Sequence, residues 1–339
     1  MNERTVEWTG TGLRLLDQTK LPGKIEYLSI ETVDQLVDAI ARLVVRGAPA
    51  IGAAGAYGVA LALLEAEREG WSEERREEAI DRIRDARPTA VNLAWAVDRV
   101  RPAVAQGVTA VSALAEEIAR ADAAANRRIG HNGADWLAER LGTDRPLRVL
   151  THCNTGALAT TEWGTALGIV RELNQRGRLE SVHVDETRPL LQGSRLTAWE
   201  LDREGIQHWI QPDGAAASTI MSGRVDAAIV GADRIAGNGD TANKIGTLGV
   251  GLACAEAGIP FVVAAPTSTV DLATTSGERI EIELRGEDEV LELAGIRVAP
   301  VGSPGFNPAF DVTPARFVTA LVTEERVYEV AKGDTPAGN

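Results

Sequence analysis

From residue 147 onward, short apolar runs alternate with segments of helical spacing, and no other property of this chain restricts its fold as strongly. The runs are LRVLT (147–151), SVHVD (181–185), QHWIQ (207–211), DAAIVG (226–231) and PFVVAA (260–265). Between them lie TTEWGTALGIVRELNQRG, SRLTAWELDREG, AASTIMSG and KIGTLGVGLACAEAG. Short aliphatic runs bounded by turn residues read as strands, and strands separated by helices pair in parallel. The pattern predicts a parallel sheet with helices on its faces and right-handed crossovers.

The residues upstream follow a different rule. The first 30 mix short β-like runs with turn signals. Then ETVDQLVDAIARLVV, a small-residue-rich segment starting at Pro49, SEERREEAIDRIRDA, AVNLAWAVDRVRPAVAQG and VSALAEEIARADAAANRRIGHNGADWLAERL carry apolar residues at helical spacing. The expected organisation is a mainly helical N-terminal domain over residues 1–145, with a small β element, and an α/β domain over 146–339.

Composition narrows the class of function. Net charge is −14 and the pI is near 4.9, which argues against nucleic acid as a partner, because a phosphate backbone needs a basic surface. An anionic small molecule would need a local basic pocket. The N-terminus lacks the apolar core of a signal peptide, and no apolar run is expected to approach the length of a membrane span. The expected location is cytoplasmic. Two distant cysteines, Cys153 and Cys254, make neither a disulfide framework nor a CxxC metal pair, so no structural metal is expected. Cys254, in GLACAEAG on an apolar helix, reads as core. Met221, Trp95 and Trp199 read as packing residues.

In an open α/β sheet, ligands bind outside the carboxyl ends of the strands. After the first run comes THCNTG, which holds His152, Cys153 and Asn154. After the second comes ETRPLLQGSR, with Arg188 and Gln192; after the third, PDGAAA; after the fifth, PTSTVD. GADRIAGNGDTANK, after the fourth, is the richest. Asp233 there stands either in the crevice or as an ordinary turn residue. Asn243 and Lys244 are expected at the start of the next helix, where a helix N-terminus beside a lysine suits an anion; a solvated Lys and an Asn cap are the plainer alternative. GNGDTA formally matches a dinucleotide fingerprint but lies too far past its strand to serve as one.

The helical region offers VVRGAPAIGAAGAYG. Arg46, Gly47 and Ala48 precede Pro49 at a helix start, a combination suited to phosphate or to a tight turn before close helix packing. Arg87, ahead of Pro88, serves the same anion or sits at a surface turn.

At these residues the chain resembles the S-methyl-5-thioribose-1-phosphate isomerase family. The matching stretches are VVRGAPAIG, RPTAVNLAWA, LTHCNTGALAT, GTALG, VDETRPLLQGSRLTAWEL, PDGAAA, VGADRIAGNGDTANKIGT and NPAFDVTPA, from Arg46 to Ala315 in order. The resemblance implies a small helical domain with a β element followed by a Rossmann-like domain, a homodimer, a sugar 1-phosphate substrate, and neither cofactor nor metal. It implies Cys153 and Asp233 as the catalytic pair. It implies substrate binding by Arg46, Gly47, Ala48, Arg87, Gln192, Asn243 and Lys244. Thr155, Trp163 and GERIEIELR depart from the family pattern, and the first two bear on substrate preference. The neighbouring readings are a ribose-1,5-bisphosphate or 5-deoxyribose-1-phosphate isomerase, and a non-enzymatic regulatory subunit of the same superfamily.

A phosphate ester on the anomeric oxygen blocks ordinary ring opening, so the implied reaction needs help to break the C1–O bond and to move hydrogen from C2 to C1. Two positioned proton-transfer groups suit that task. A direct hydride shift, with Cys153 only shaping the site, is the alternative.

Overall fold

The computed structural model describes residues 4–87, 90–142 and 144–338. Met1 to Glu3, Pro88, Thr89, Thr143 and Asn339 lie outside the described residues. The chain divides into two compact units. One holds the chain up to Arg128 together with Thr155–Leu167, and the other holds Ile129–Asn154 with Gly168 onward.

The first unit opens on an antiparallel sheet of β1 (Val6–Trp8), β2 (Leu13–Leu16) and β3 (Tyr27–Ile30). Helices α1 (Val33–Ala41), α2 (Ala48–Glu69), α3 (Glu73–Arg84) and α4 (Val91–Val100) follow. Their starts are written locally. Thr32 and Gln35 form a reciprocal capping box on α1, and the Ser72 hydroxyl accepts from the Arg75 N–H on α3. Every residue of α2 from Ala50 to Leu63 is buried. Its alanines and glycines let α4 and its other neighbours approach closely. By length and composition α2 could cross a membrane, which corrects the expectation that no apolar run reaches that size. Within the chain, 83% of the apolar window is buried, as in a core helix. Helix α5 (Val108–Leu141) runs from the first unit into the second.

The second unit is the expected α/β layer structure. Its strands are β4 (Leu147–Thr151), β5 (Leu179–Asp185), β6 (His208–Gln211), β7 (Ala227–Val230), β8 (Arg234–Ala236), β9 (Thr241–Lys244), β10 (Phe261–Ala264), β11 (Val270–Asp271), β12 (Glu292–Leu293), β13 (Ile296–Arg297), β14 (Phe310–Thr313), β15 (Ala320–Val322) and β16 (Val327–Tyr328). Its helices are α6 (Ala166–Gln175), which begins at the unit boundary, α7 (Ala198–Arg203), α8 (Ala216–Met221), α9 (Thr247–Ala257) and the single turn α10 (Asp288–Leu291).

The main sheet has the order β16-β15-β10-β7-β4-β5-β6, parallel except for β16. β7 and β10 are buried at every position, as central parallel strands covered on both faces must be. β6, at the edge, exposes Trp209 and Ile210. The chain moves outward from β4 through β5 to β6, then returns to the other side of β4 at β7 and continues outward. The order therefore reverses between β4 and β7. This is the doubly wound Rossmann arrangement, whose ligand crevice opens at the reversal.

All five expected strands form within two residues of their predicted limits. A second sheet, β11-β8-β9-β14, was not legible in the local pattern. In it β9 pairs antiparallel with β14, Lys244 opposite Phe310 and Asn243 opposite Asp311. Asn243 and Lys244 thus lie on a strand, which corrects their placement at a helix start. α9 begins only at Thr247, after Gly246 at φ 106°. The distant partner strand β14 holds these residues extended.

Candidate active site

Parallel pairing sets Val149 beside Ala227 and Leu150 beside Ala228, so the turns after β4 and β7 leave the sheet side by side at the reversal. Cys153 stands in the first turn and Asp233 in the second. Cys153 is 7% exposed and has φ 64°, a left-handed conformation that a non-glycine residue adopts only when its surroundings hold it. Those surroundings are visible. The Cys153 N–H donates to Thr187 Oγ1 at 2.9 Å, and its carbonyl accepts from Thr197 Oγ1 at 2.6 Å. Thr187 in turn donates to the Asp185 carbonyl at 2.9 Å. The turn is clamped from the ends of β5 and the start of α7.

The residues on either side of Cys153 are equally engaged. Asn154 Nδ2 donates to Glu200 Oε1 at 2.7 Å, and Glu200 pairs with Arg171 at 2.8 Å. Arg171 also holds Glu204 at 2.6 Å. Glu200 is fully buried and Arg171 nearly so. Burial alone would lower the Arg171 pKa, but the two carboxylates outweigh it and the guanidinium stays charged. His152 Nδ1 lies 3.0 Å from Asp185 Oδ2, and Nε2 lies 2.8 Å from the Ile245 carbonyl.

Asp233 is half-buried, and its N–H donates to the Ala242 carbonyl at 2.9 Å. Gln192 is buried and its Oε1 has no hydrogen-bond partner in the protein, an acceptor turned inward without a donor. Asn243 Nδ2 donates to Thr247 Oγ1 at 3.0 Å. Lys244 Nζ donates to the Ala309 carbonyl at 2.8 Å and lies 4.3 Å over the Phe310 ring. The α9 N-terminus itself is occupied. Asp311 accepts the N–H groups of Gly246 at 2.7 Å and Leu248 at 3.1 Å, while burial holds its pKa above the usual carboxylate value. The helix end is thus already capped by a carboxylate.

Arg46, Gly47, Ala48 and Arg87 belong to the first unit. Arg46 is buried and precedes α2. Gly47 is the N-cap of α2, at φ 90°. A Cβ on Gly47 would stand 2.3 Å from the Ala159 carbonyl oxygen, so only glycine fits. Arg87 is half-buried.

The two family departures are also packed in the first unit. The Thr155 hydroxyl is buried without a partner. Trp163, at φ 74°, lies under the Arg127 guanidinium at 4.4 Å. Cys254 is fully buried, as expected of a core residue, and burial pushes its thiol up to about 12. Met221 and Trp95 are instead 54% and 41% exposed, and Trp199 stacks under Arg203 at 4.8 Å. The dinucleotide-like GNGDTA forms the β8–β9 connection. There Asp240 accepts the N–H groups of Gly277 at 2.8 Å and Ala315 at 2.7 Å, a structural tie.

Sequence reasoning named the loops but assigned no role to His152, Asp185, Thr187, Thr197, Glu200 or Asp213. The signal was present, since His152 neighbours Cys153 and VDET and PDGAAA end strands. Only the sheet order brings them together. Among the described residues, His152, Asp185 and Asp213 bring ligand atoms within 4.8 Å of one another. Both His152 nitrogens already face acceptors, and Asp213 accepts the N–H groups of Thr187 at 2.7 Å and Arg188 at 2.6 Å. These lone pairs serve hydrogen bonds and leave no open metal cage.

The sheet is doubly wound, with a thiol and a carboxylate in the turns beside its reversal point, the place where α/β proteins of this class bind small ligands. The chain belongs to the initiation factor 2 subunit family, whose model matches residues 44–329. It is 53% identical over 329 residues to a Nocardia farcinica protein named a probable bifunctional methylthioribose-1-phosphate isomerase/methylthioribulose-1-phosphate dehydratase, covering 96% of this chain and 59% of that protein. It is 53% identical over 315 residues to the methylthioribose-1-phosphate isomerase of Anaeromyxobacter sp. strain K, covering 93% and 90%. The solved 5-methylthioribose 1-phosphate isomerase of Pyrococcus horikoshii OT3 superposes with a TM-score of 0.84 at 40% identity, covering 96% of this chain and 92% of that one. A structure from A. fulgidus described as translation initiation factor eIF-2B subunit delta gives 0.82 at 41% identity, covering 96% of each.

Proposed function

We propose that this chain is an S-methyl-5-thioribose-1-phosphate isomerase, which converts S-methyl-5-thio-α-D-ribose 1-phosphate to S-methyl-5-thio-D-ribulose 1-phosphate in methionine salvage. One observation carries the reading beyond resemblance of names. The Cys153 and Asp233 turns leave adjacent parallel strands at the reversal of strand order. A chain with no catalytic task has no need to hold a cysteine at φ 64° there.

In this reading Asp233 enters protonated and donates to the ring oxygen as the C1–O bond breaks. Cys153, as thiolate, takes the proton from C2, giving a phosphoenol. Cys153 returns a proton to C1 while the C2 hydroxyl gives its proton to Asp233, leaving the ketone and restoring both groups. The substrate-binding residues of this reading are Gln192, Asn243, Lys244, Arg46, Gly47, Ala48 and Arg87. We read residues 1–145 as a mainly helical N-terminal domain and residues 146–339 as a Rossmann-like catalytic domain. The enzyme works as a cytoplasmic homodimer on a small sugar phosphate, without nucleic acid, membrane or cofactor.

The bisphosphate alternative needs a second basic site. The strand-end arginines are engaged: Arg188 donates to the carbonyls of Pro189 and Val290, each at 2.9 Å, Arg195 to that of Leu190 at 2.9 Å, and Arg234 lies 3.8 Å from Asp271. Assay of the purified chain on 5-methylthioribose, 5-deoxyribose and ribose-5-phosphate forms of the 1-phosphate tests the reading. Turnover highest on the methylthio sugar supports it; no turnover on any of the three, with stable co-purification of an initiation factor, supports the regulatory reading instead. A single turnover in deuterated water should place solvent deuterium at C1. Its absence would favour the hydride shift.

A further inference from the structure

His152 has no part in the chemistry above, yet it is 1% exposed and sits between the Cys153 turn and the Lys244–Gly246 turn. It is bonded covalently to Cys153. Its Nε2 lies 2.8 Å from the carbonyl of Ile245, the residue after Lys244. Its ring also fills the space beside Gly246: a Cβ there would stand 2.7 Å from His152 Cε1. Its Nδ1 lies 3.0 Å from Asp185 Oδ2, on the strand whose end anchors the Cys153 N–H through Thr187.

Proton positions follow from the partners. A carbonyl only accepts, so Nε2 carries a hydrogen. Asp185 Oδ1 accepts from Gln211 Nε2 at 2.9 Å, and that amide is oriented by Thr219, whose hydroxyl donates to Gln211 Oε1 at 2.9 Å. With Gln211 on Oδ1, Asp185 Oδ2 is left to accept from His152 Nδ1 at 3.0 Å, so Nδ1 carries a hydrogen too. We propose that His152 is a positioning residue for this isomerase, a buried imidazolium that locks the Cys153 turn to the Lys244–Gly246 turn. The claim about its role in turnover rests on the isomerase reading; the claim about its charge and its two bonds does not.

Charge balance agrees. Asp185 faces the ring from β5, Asp213 from the turn after β6, and Asp311 from β14, with Lys244 near Asp311. Burial alone would lower the His152 pKa, but the hydrogen bond and charge of Asp185, then Asp213 and the Ile245 carbonyl, outweigh it and raise it. A neutral ring would leave the carboxylates without a buried cation and the Asp185–Nδ1 contact without its proton.

The test uses the full chain labelled with 15N-histidine; its four histidines make assignment direct. In the wild type, His152 is expected to show two exchange-protected ring N–H signals that persist from pH 6 to pH 8. Asp185→Asn is expected to remove the Nδ1–H signal. Its affinity for inorganic phosphate should fall, and its KM for the sugar phosphate should rise, measured on folded protein well below its melting transition. His152→Gln, folded, is expected to lose roughly 100-fold in kcat/KM, the scale of a misplaced catalytic group, with both kcat and KM affected. A single ring proton at neutral pH would overturn the proposal, as would folded variants with wild-type phosphate affinity and kcat/KM. If His152→Gln does not fold, Asp185→Asn and the wild-type spectrum decide. Two ring protons in a wild type that turns over no sugar phosphate would leave the lock standing and remove the isomerase reading.

Discussion

At the residue scale, the two cysteines separate cleanly. Cys254 is a packed thiol that burial keeps protonated, with its pKa pushed up to about 12. Alkylating reagents at pH 8 are expected to leave Cys254 unmodified until the chain is unfolded, as read by peptide mass mapping. Cys153→Ser and Asp233→Asn are each expected to lower kcat by roughly 10²–10⁴-fold with little change in melting temperature, because each removes a proton-transfer group. A Cys153→Ser enzyme with near-normal turnover would return Cys153 to a packing role. Thr155 makes a different case. Its hydroxyl is buried and unpartnered, a state that costs about 1–3 kcal/mol when no donor or acceptor meets it. Thr155→Ala is therefore expected to hold or raise the melting temperature. A simultaneous rise in KM would identify the hydroxyl as a substrate contact.

At the element scale, the starts of α2 and β7 are the sensitive points. Gly47 combines φ 90° with a 2.3 Å limit against the Ala159 carbonyl. Gly47→Ala must shift backbone against backbone and is expected to destabilise the first unit by about 2 kcal/mol or more, read by denaturant unfolding. At the start of β7, Asp226 accepts from Arg145 at 2.6 Å, from the Arg148 side chain at 2.9 Å and from the Arg148 N–H at 2.8 Å, tying β7 to β4. Burial alone would raise its pKa, but these bonds hold the carboxyl well below the usual range. The folded value lies below the unfolded one of about 4, so the tie contributes fully at neutral pH and is lost as pH falls below about 4. Asp226→Asn is expected to lower stability by about 1–2 kcal/mol at pH 7 and by progressively less toward pH 2, so the two unfolding curves should converge in acid.

At the scale of the whole molecule, the reversal of strand order selects which loops share a crevice. Five loops end on one edge of the sheet, but only those after β4 and β7 flank the reversal. The expected homodimer has a direct test: sedimentation of the purified chain should give twice its 36.0 kDa mass. A monomer at micromolar concentration would remove that part of the proposal.

Much of this was legible in the chain before folding. Runs of five or six residues bounded by turn signals marked β4, β5, β6, β7 and β10, and the two covered on both faces, β7 and β10, are apolar at every position. Turn residues after each run marked the candidate ligand edge, and Cys153, Gln192 and Asp233 could be named there. What was not legible depends on partners distant in sequence. Asn243 and Lys244 read as a helix start because β14, the strand that pairs with β9, lies far downstream. His152 was given no role because its partners come from β5 and from the turn before α9. Local sequence sets periodicity, caps and turns, whose energetics involve near neighbours. Strand order, buried hydrogen bonds and the conformation forced on Cys153 are decided by contacts between distant segments, which exist only once the tertiary structure has formed.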